Sequence, residues 1–359
     1  MLLTKILKTN LNWNAARISL LANMIIALLK TRTVCLTDIA TALSGKAKTE
    51  SKYKKLQRFF RSYAMDIDSV SRMVASILPI SKDKWTLSID RTNWKLGKAN
   101  INILCLGICY MGVCFPVVWV SLDKRGNSNT GERIALIEKF ITLFGKTKIR
   151  CLTADREFIG YKWFVYLLNE KIPFRIRIKD NFKVTSSKGN QVAIKLLFRN
   201  LKPRESRILR HPRKICGVSV YIIGQKLPTG EYLILVTDEH PESAMDDYSL
   251  RWEIETLFAC LKTRGFNFEA THMTKLDRID KLLAVLAITF SWCHITGEWL
   301  NSQQPIKIKK HGRPAVSIFR YGLNWLREIV LNLSDNKRKY NKVVHLLSRQ
   351  LNDAVAGAT

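Results

Sequence analysis

Asp90 and Asp155 each close an apolar run and open a polar one, in Leu87-Ser88-Ile89-Asp90-Arg91-Thr92-Asn93 and Leu152-Thr153-Ala154-Asp155-Arg156-Glu157. Runs of this texture read as strands, and strand ends are where sites gather in open α/β sheets. If the two strands are neighbours and parallel, both carboxylates emerge at one edge and can share a divalent cation; a pair of turn-forming aspartates is the plainer alternative. A third acid comes from the set Tyr248, Arg251, Glu255 and Lys262, at offsets of 0, 3, 7 and 14. On one helix these fall at about 0°, 300°, 340° and 320°, a single stripe. Leu250, Ile254, Leu257, Phe258 and Leu261 fill the adjoining arc, about 180° to 280°, and would bind that helix to a core. Glu253, at about 140°, points away from the stripe, which leaves Glu255 as the third carboxylate. A solvated Arg251–Glu255 pair would leave a tyrosine and a lysine on the same line unexplained.

Three such carboxylates could hold two divalent ions about 4 Å apart, one activating water or a 3′-hydroxyl, the other stabilising the leaving oxygen of a phosphodiester. Arg251 would grip a phosphate in a bidentate manner and Lys262 as a point charge. The composition agrees, because 59 Lys and Arg against 29 Asp and Glu give a formal charge of +30, a field that selects a polyanion such as nucleic acid. Thiolate or imidazole chemistry is not expected: the eight cysteines form no C-x-x-C pair, and the six histidines form no i,i+4 pair. No membrane partner is expected either. Residues 101–122 carry no charge and satisfy a simple span rule, but Gly107, Gly112 and Pro116 interrupt them and Val and Ile dominate. A break at Tyr110-Met111-Gly112 divides them into two buried strands.

The strings Asp90-Arg91-Thr92-Asn93-Trp94-Lys95 and Ala154-Asp155-Arg156-Glu157-Phe158, with the spacing Y-x2-R-x3-E-x6-K at Tyr248, Arg251, Glu255 and Lys262, resemble the DDE transposases of insertion sequence family 4. The likeness runs over most of the chain. It implies an RNase H-like mixed-sheet core with a β-rich insertion, and Asp90, Asp155 and Glu255 as a catalytic triad holding two Mg2+ ions, with Mn2+ as a substitute. It further implies that Tyr248, Arg251 and Lys262 contact DNA beside the cleaved transposon end. Cut-and-paste transposition into target DNA would follow, by a homodimer in a paired-end complex, in the prokaryotic cytoplasm and in association with the nucleoid. One departure concerns the hairpin step: family members often carry a tryptophan in the strand before the tyrosine helix, where Glu231–Thr237 offers only Tyr232. An inactive DNA-binding regulator derived from such an element, or a nuclease or integrase on the same fold, are the alternatives.

The elements that must position these residues divide the chain into five stretches. Residues 1–80 read as a helical DNA-binding domain, with a short helix at Leu36–Leu43, a Ser44-Gly45 turn and a basic helix from Glu50 to Tyr63, the helix-turn-helix order. Lys52, Lys55 and Arg58 on that second helix are its DNA-contacting candidates. Residues 81–179 follow the order β-β-β-α-β-α-β of the first part of the core, and 180–245 the insertion, with turn signals at Ser187-Lys188-Gly189-Asn190 and Pro228-Thr229-Gly230. Residues 246–300 hold the Glu255 helix, opened by Asp246-Asp247 as N-terminal dipole partners, and a second helix at Ile279–Trp299. The helical region 301–359 contains helices at Ala315–Leu333 and Lys342–Leu351 and a basic loop, Lys307–Pro314, suited either to an exposed linker or to a minor groove.

Overall fold

The computed structural model describes residues 2–80, 82–186, 189–310 and 312–348. Five helices come first: α1 Leu2–Asn10, α2 Ala15–Thr31, α3 Leu36–Ala42, α4 Thr49–Ser62 and α5 Ile67–Ser76. Asn14 caps α2 by accepting the Arg17 N–H at 2.9 Å. Helices α3 and α4 are the two members of the expected helix-turn-helix. Leu56, Phe59 and Phe60 turn α4 toward the core, while Lys54, Lys55, Arg58 and Arg61 stay exposed.

A hairpin of long strands follows, β1 Trp85–Leu96 and β2 Ala99–Tyr110, then β3 Val113–Ser121, α6 Thr130–Phe144, β4 Ile149–Ala154, α7 Tyr161–Asn169 and β5 Phe174–Ile178. The charge-free stretch does divide at Met111-Gly112, both of positive φ, into β2 and β3. β1 differs from its reading. It does not stop at Asp90 but pairs with β2 from Leu87↔Ile108 to Leu96↔Ala99, with Asp90↔Cys105 in mid-ladder. An antiparallel partner satisfies the backbone of the polar half of β1, which therefore needs no turn.

Short strands β6 Lys183–Thr185, β7 Gln191–Ala193, β8 Ser206–Ile208 and β9 Arg213–Ile215 precede β10 Val218–Lys226 and β11 Tyr232–Thr237. Ser187 and Lys188 of the first turn signal lie outside the described residues. The sheet runs β3-β2-β1-β4-β5-β11-β10-β8, with β9 also on β10, and β1, β4 and β5 mutually parallel. This is the mixed RNase H-like arrangement. Part of the stretch 180–245 joins this sheet, because β11 pairs antiparallel with β5 (Leu235↔Arg177) and β10 and β8 continue it, while β6 and β7 pair only with each other.

Helices α8 Ala244–Ser249 and α9 Trp252–Leu261 take the place of the single helix read from Tyr248 to Lys262. Between them the N–H groups of Leu250, Arg251, Glu253 and Ile254 donate to the carbonyl three residues back, at 3.3, 2.9, 3.0 and 3.3 Å. That is a turn of 3₁₀ type. Asp246 and Asp247 lie in the first turn of α8, and the buried Asp247 also takes Arg150 Nη2 at 2.6 Å and Arg175 Nε at 3.1 Å. α8 is thereby fixed to β4 and β5.

α10 Leu276–Gln303, α11 Ile318–Leu331 and α12 Lys337–His345 complete the chain. The last begins five residues before its sequence reading, Lys342–Leu351, whose end, residues 349–351, lies outside the described residues. α10 is long and apolar enough to cross a membrane by length and composition, and 89% of its most apolar window is buried against the rest of the chain. Where it crosses α11 the backbones touch. A Cβ at Gly322 would lie 1.8 Å from the Cys293 carbonyl oxygen, and one at Gly297 2.0 Å from that of Ile318. Gly322→Ala therefore lowers stability by about 3 kcal/mol through forced separation of the two helices; urea denaturation reads this, and an unshifted midpoint contradicts the close crossing.

Candidate active site

The parallel ladder of β1 and β4 pairs Ile89 with Ala154, so that Asp90 and Asp155 are the next residues on strands about 4.8 Å apart. β5 continues the row, since Ala154↔Ile176 leaves Arg177 beside Asp155, with Nη1 4.0 Å from Oδ1. Asp90, Asp155 and Arg177 thus stand side by side on one sheet face. α8 lies over β4, β5 and β11, and α9 over β1, β2 and β3. The 3₁₀ turn between the helices delivers Arg251 to Asp90.

Arg251 is the hinge of the arrangement. Only 6% exposed, its guanidinium donates from Nη1 to Asp90 Oδ2 at 3.4 Å and from Nη2 to Glu255 Oε1. The same group lies 6.0 Å from the Tyr248 ring and 5.8 Å from that of Trp252. Burial pushes the Asp90 carboxyl up to about 6, against the Arg91 N–H, which donates to Oδ1 at 2.7 Å, and against Arg251. Tyr248 is buried too. Burial, with Asp155 and Asp90 nearby, raises its phenol well above the usual value and keeps it a neutral donor.

Lys262 stands elsewhere. It caps the end of α9, pairs with Glu269 at 2.7 Å and lies 5.1 Å over the Trp94 ring. Trp94 shares its side of β1 with Asp90, four residues on, or roughly 13 Å away. Of the α4 candidates, Lys55 and Arg58 are exposed, whereas Lys52 donates to the Leu43 carbonyl at 2.7 Å and so ties α4 to the end of α3.

Several contributors escaped sequence reading. Arg91 reaches both Glu157 oxygens at 3.3 Å and the Asn102 and Asn127 side-chain carbonyls at 3.0 and 3.1 Å. Buried Arg133 donates to the carbonyls of Ser128, Glu157 and Ile159. Together they pin the loop that carries Asp155. The clue for Arg91 and Glu157 was their place one and two residues after the two aspartates. For Arg177 it was the Phe-Arg-Ile-Arg-Ile pattern, in which arginines on the inner side of a strand call for acids. Trp252, 64% exposed at the start of α9, could have been suspected as the one aromatic on that helix outside the apolar arc.

Among the described residues no three His, Cys, Asp or Glu side chains stand close enough together to hold a metal ion. Asp90 and Glu255 meet through a guanidinium instead. The donor set itself suits a hard divalent cation, being all carboxylate oxygen, and Asp155 Oδ1 is buried without a hydrogen-bond partner.

Residues 81–292 match the transposase DDE domain family, and this stretch includes Asp90, Asp155 and Glu255. More than half of the chain is matched, and the protein belongs to that family: it is a DDE transposase. Among solved structures it is similar to a piggyBac transposase synaptic complex with hairpin DNA, at 11% identity over 92% of this chain and 75% of that one, a distant likeness with a TM-score of 0.44. No curated protein sequence matches it.

Glu253 is placed on the far side of α9, as its helical angle required. It accepts the Gly112 N–H at 2.9 Å and thereby fastens the β2–β3 turn, and burial pushes its carboxyl up to about 7. A folded-state value above the unfolded one means that its contribution to stability is full below about pH 4.3 and lost as pH rises through 7. Glu253→Gln keeps the acceptor and removes the charge. The variant should gain on the order of 1–3 kcal/mol over the parent at pH 8 and nothing at pH 4; equal pH profiles in chemical denaturation would show that Glu253 is not buried as a carboxylic acid.

Proposed function

We propose that this transposase cleaves DNA at transposon ends and joins the freed 3′-hydroxyl to target DNA by the cut-and-paste route, with Asp90, Asp155 and Glu255 as its catalytic carboxylates. The observation that carries the reading is the row Asp90–Asp155 on adjacent parallel strands, joined to Glu255 through the single guanidinium of Arg251. Two Mg2+ ions, or Mn2+, held by these three residues would supply Lewis acidity for an attacking oxygen and a leaving one. What the chain contributes by itself is position. Arg251 holds Glu255 against Asp90; Arg91 and Arg133 hold the Asp155 loop; Tyr248 presents a neutral hydroxyl beside the acids.

DNA would lie along this face. Arg251, Tyr248 and Arg177 are the donors nearest the acids, with Lys262 farther along β1 beside Trp94. Lys55 and Arg58 of α4 would bind the same duplex at a distance, with Lys52 spent on its carbonyl. The exposed Trp252 indole beside Arg251 offers a stacking surface for an unpaired base, a task for which the strand β11 has only Tyr232. A homodimer in the paired-end complex and a place in the prokaryotic nucleoid accompany this reading.

Glu255→Gln, Asp90→Asn and Asp155→Asn should each lower cleavage of an end-bearing duplex on the order of 10³–10⁶-fold and leave duplex affinity within a few-fold of the parent. Retained magnesium-dependent cleavage by any of them removes that residue from the triad. Trp252→Ala should weaken binding to a duplex with an unpaired base near the cleaved end by about tenfold and leave perfectly paired duplex unaffected. Equal losses on both DNAs would make Trp252 a general contact rather than a stacking platform.

A further inference from the structure

Away from the acids, a cleft of about 220 Å³ opens where α4 meets the segment leading into α10. Its walls include Arg61 and Gln57 from α4, Thr37 from α3, His272 and Thr274 from the connecting segment, and Arg278 from the first turn of α10. Among the described residues no Asp or Glu lines it, and neither guanidinium has a hydrogen-bond or ion-pair partner. The nearest acid on α10, Asp277, is engaged by Lys281 at 3.4 Å. That same Lys281 donates to the Phe60 carbonyl at 3.1 Å, stapling the end of α4 to α10. The cleft is therefore shared by two parts of the chain joined through that bond, one carrying the expected helix-turn-helix and the other following the Glu255 helix.

Beside the apolar Leu36, Phe60 and Met273, two guanidiniums, hydroxyls, an amide and an imidazole without a counter-charge offer donors that suit a phosphate oxygen. The volume is below the range of about 300–1,000 Å³ usual for drug-sized molecules. Exposed Lys54, Lys55 and Arg58 continue from Arg61 along the same helix, making a line of cations of the kind a polymer of phosphates requires. We propose that Arg61 and Arg278 together seat one backbone phosphate of the duplex held by α4. That phosphate is gripped from the recognition helices and the catalytic unit at once, which fixes the length of DNA between the recognised sequence and the cut. The proposal rests on the transposase reading above.

The test is the salt dependence of equilibrium binding to an end-bearing duplex and to a scrambled one, for the full chain and for Arg61→Ala, Arg278→Ala and the double variant. Each single change should weaken both duplexes by a similar factor and reduce the slope of log affinity against log salt by about one. The double variant should also lose about one, since a single phosphate is shared. Arg61→Lys and Arg278→Lys should keep the parental slope with melting temperatures equal to the parent's. Parental slopes in both alanine variants overturn the proposal, and a loss of about two in the double variant overturns the shared seat. Inorganic phosphate at matched ionic strength that raises the parent's melting temperature but not the double variant's, with DNA slopes unchanged, would assign the cleft to a free anion. If the parent binds neither duplex, the proposed action on transposon ends falls and this inference falls with it.

Discussion

Carboxylates brought toward one end of the sheet from strand, loop and helix repel one another, and the arginines that compensate them, buried Arg251 and half-buried Arg91 and Arg177, organise this part of the molecule. Asp90, Asp155, Glu157 and Glu255 come from three distant parts of the chain, and each is met by an arginine: Asp90 and Glu255 by Arg251, Asp155 by Arg177, Glu157 by Arg91. Withdrawing an ion from water costs several kcal/mol unless a partner with good geometry is at hand. The arginines therefore decide where the acids can be. Asp90 shows the residual strain of this balance, for even with Arg251 and a backbone N–H in contact its carboxyl is held near 6.

Carrying these groups requires a wide and immobile sheet. β4 and β5, which bear Asp155 and Arg177, would form its margin if the insertion folded elsewhere, and an open edge is free to fray or to pair wrongly. β11 removes that edge by pairing with β5, and β10, β8 and β9 extend the sheet beyond it. The buried Arg175–Asp247 pair then clamps α8 across the seam, with Arg150 reaching Asp247 from a bulge in the β1–β4 ladder. The insertion and the approach to the Glu255 helix are in this way built into the support of the acids.

Much of this was legible in the residues. Periodicity located α4, α10 and α11 and the strands β2 to β5, because burial on one face or two leaves a period in the sequence. The apolar runs ending in Asp90 and Asp155 left their juxtaposition open, conditional on two parallel neighbouring strands, which the β1–β4 ladder supplies, and Glu253 could be set aside by angle alone. Three features were hidden for a physical reason. The extension of β1 past Asp90 depends on a partner strand rather than on its own polar residues. The merging of the insertion into the main sheet depends on β11 meeting β5, more than fifty residues apart, and leaves no local mark. The arginine network around the Asp155 loop depends on distances that no spacing rule encodes.

The break between α8 and α9 is the most instructive of the differences, since it improves on the arrangement that an unbroken helix would give. In an α-helix Tyr248 and Arg251 are separated by about 60° around the axis, whereas at three residues per turn they eclipse. The 3₁₀ bonds at Leu250 and Arg251 therefore bring the Tyr248 ring and the Arg251 guanidinium into line, 6.0 Å apart, above the row of Asp90, Asp155 and Arg177. Poorer hydrogen-bond geometry in that turn is offset by what it aligns: a neutral phenol, a guanidinium and two carboxylates converging on one patch of the sheet. Lys262, beyond nearly three further turns of regular helix, gains nothing from the break and is anchored by Glu269 and Trp94 instead. A four-residue spacing that looks like one helical stripe is thus divided in space, with three residues gathered by a distorted turn and Lys262 at the far end of α9, beside Trp94 of β1.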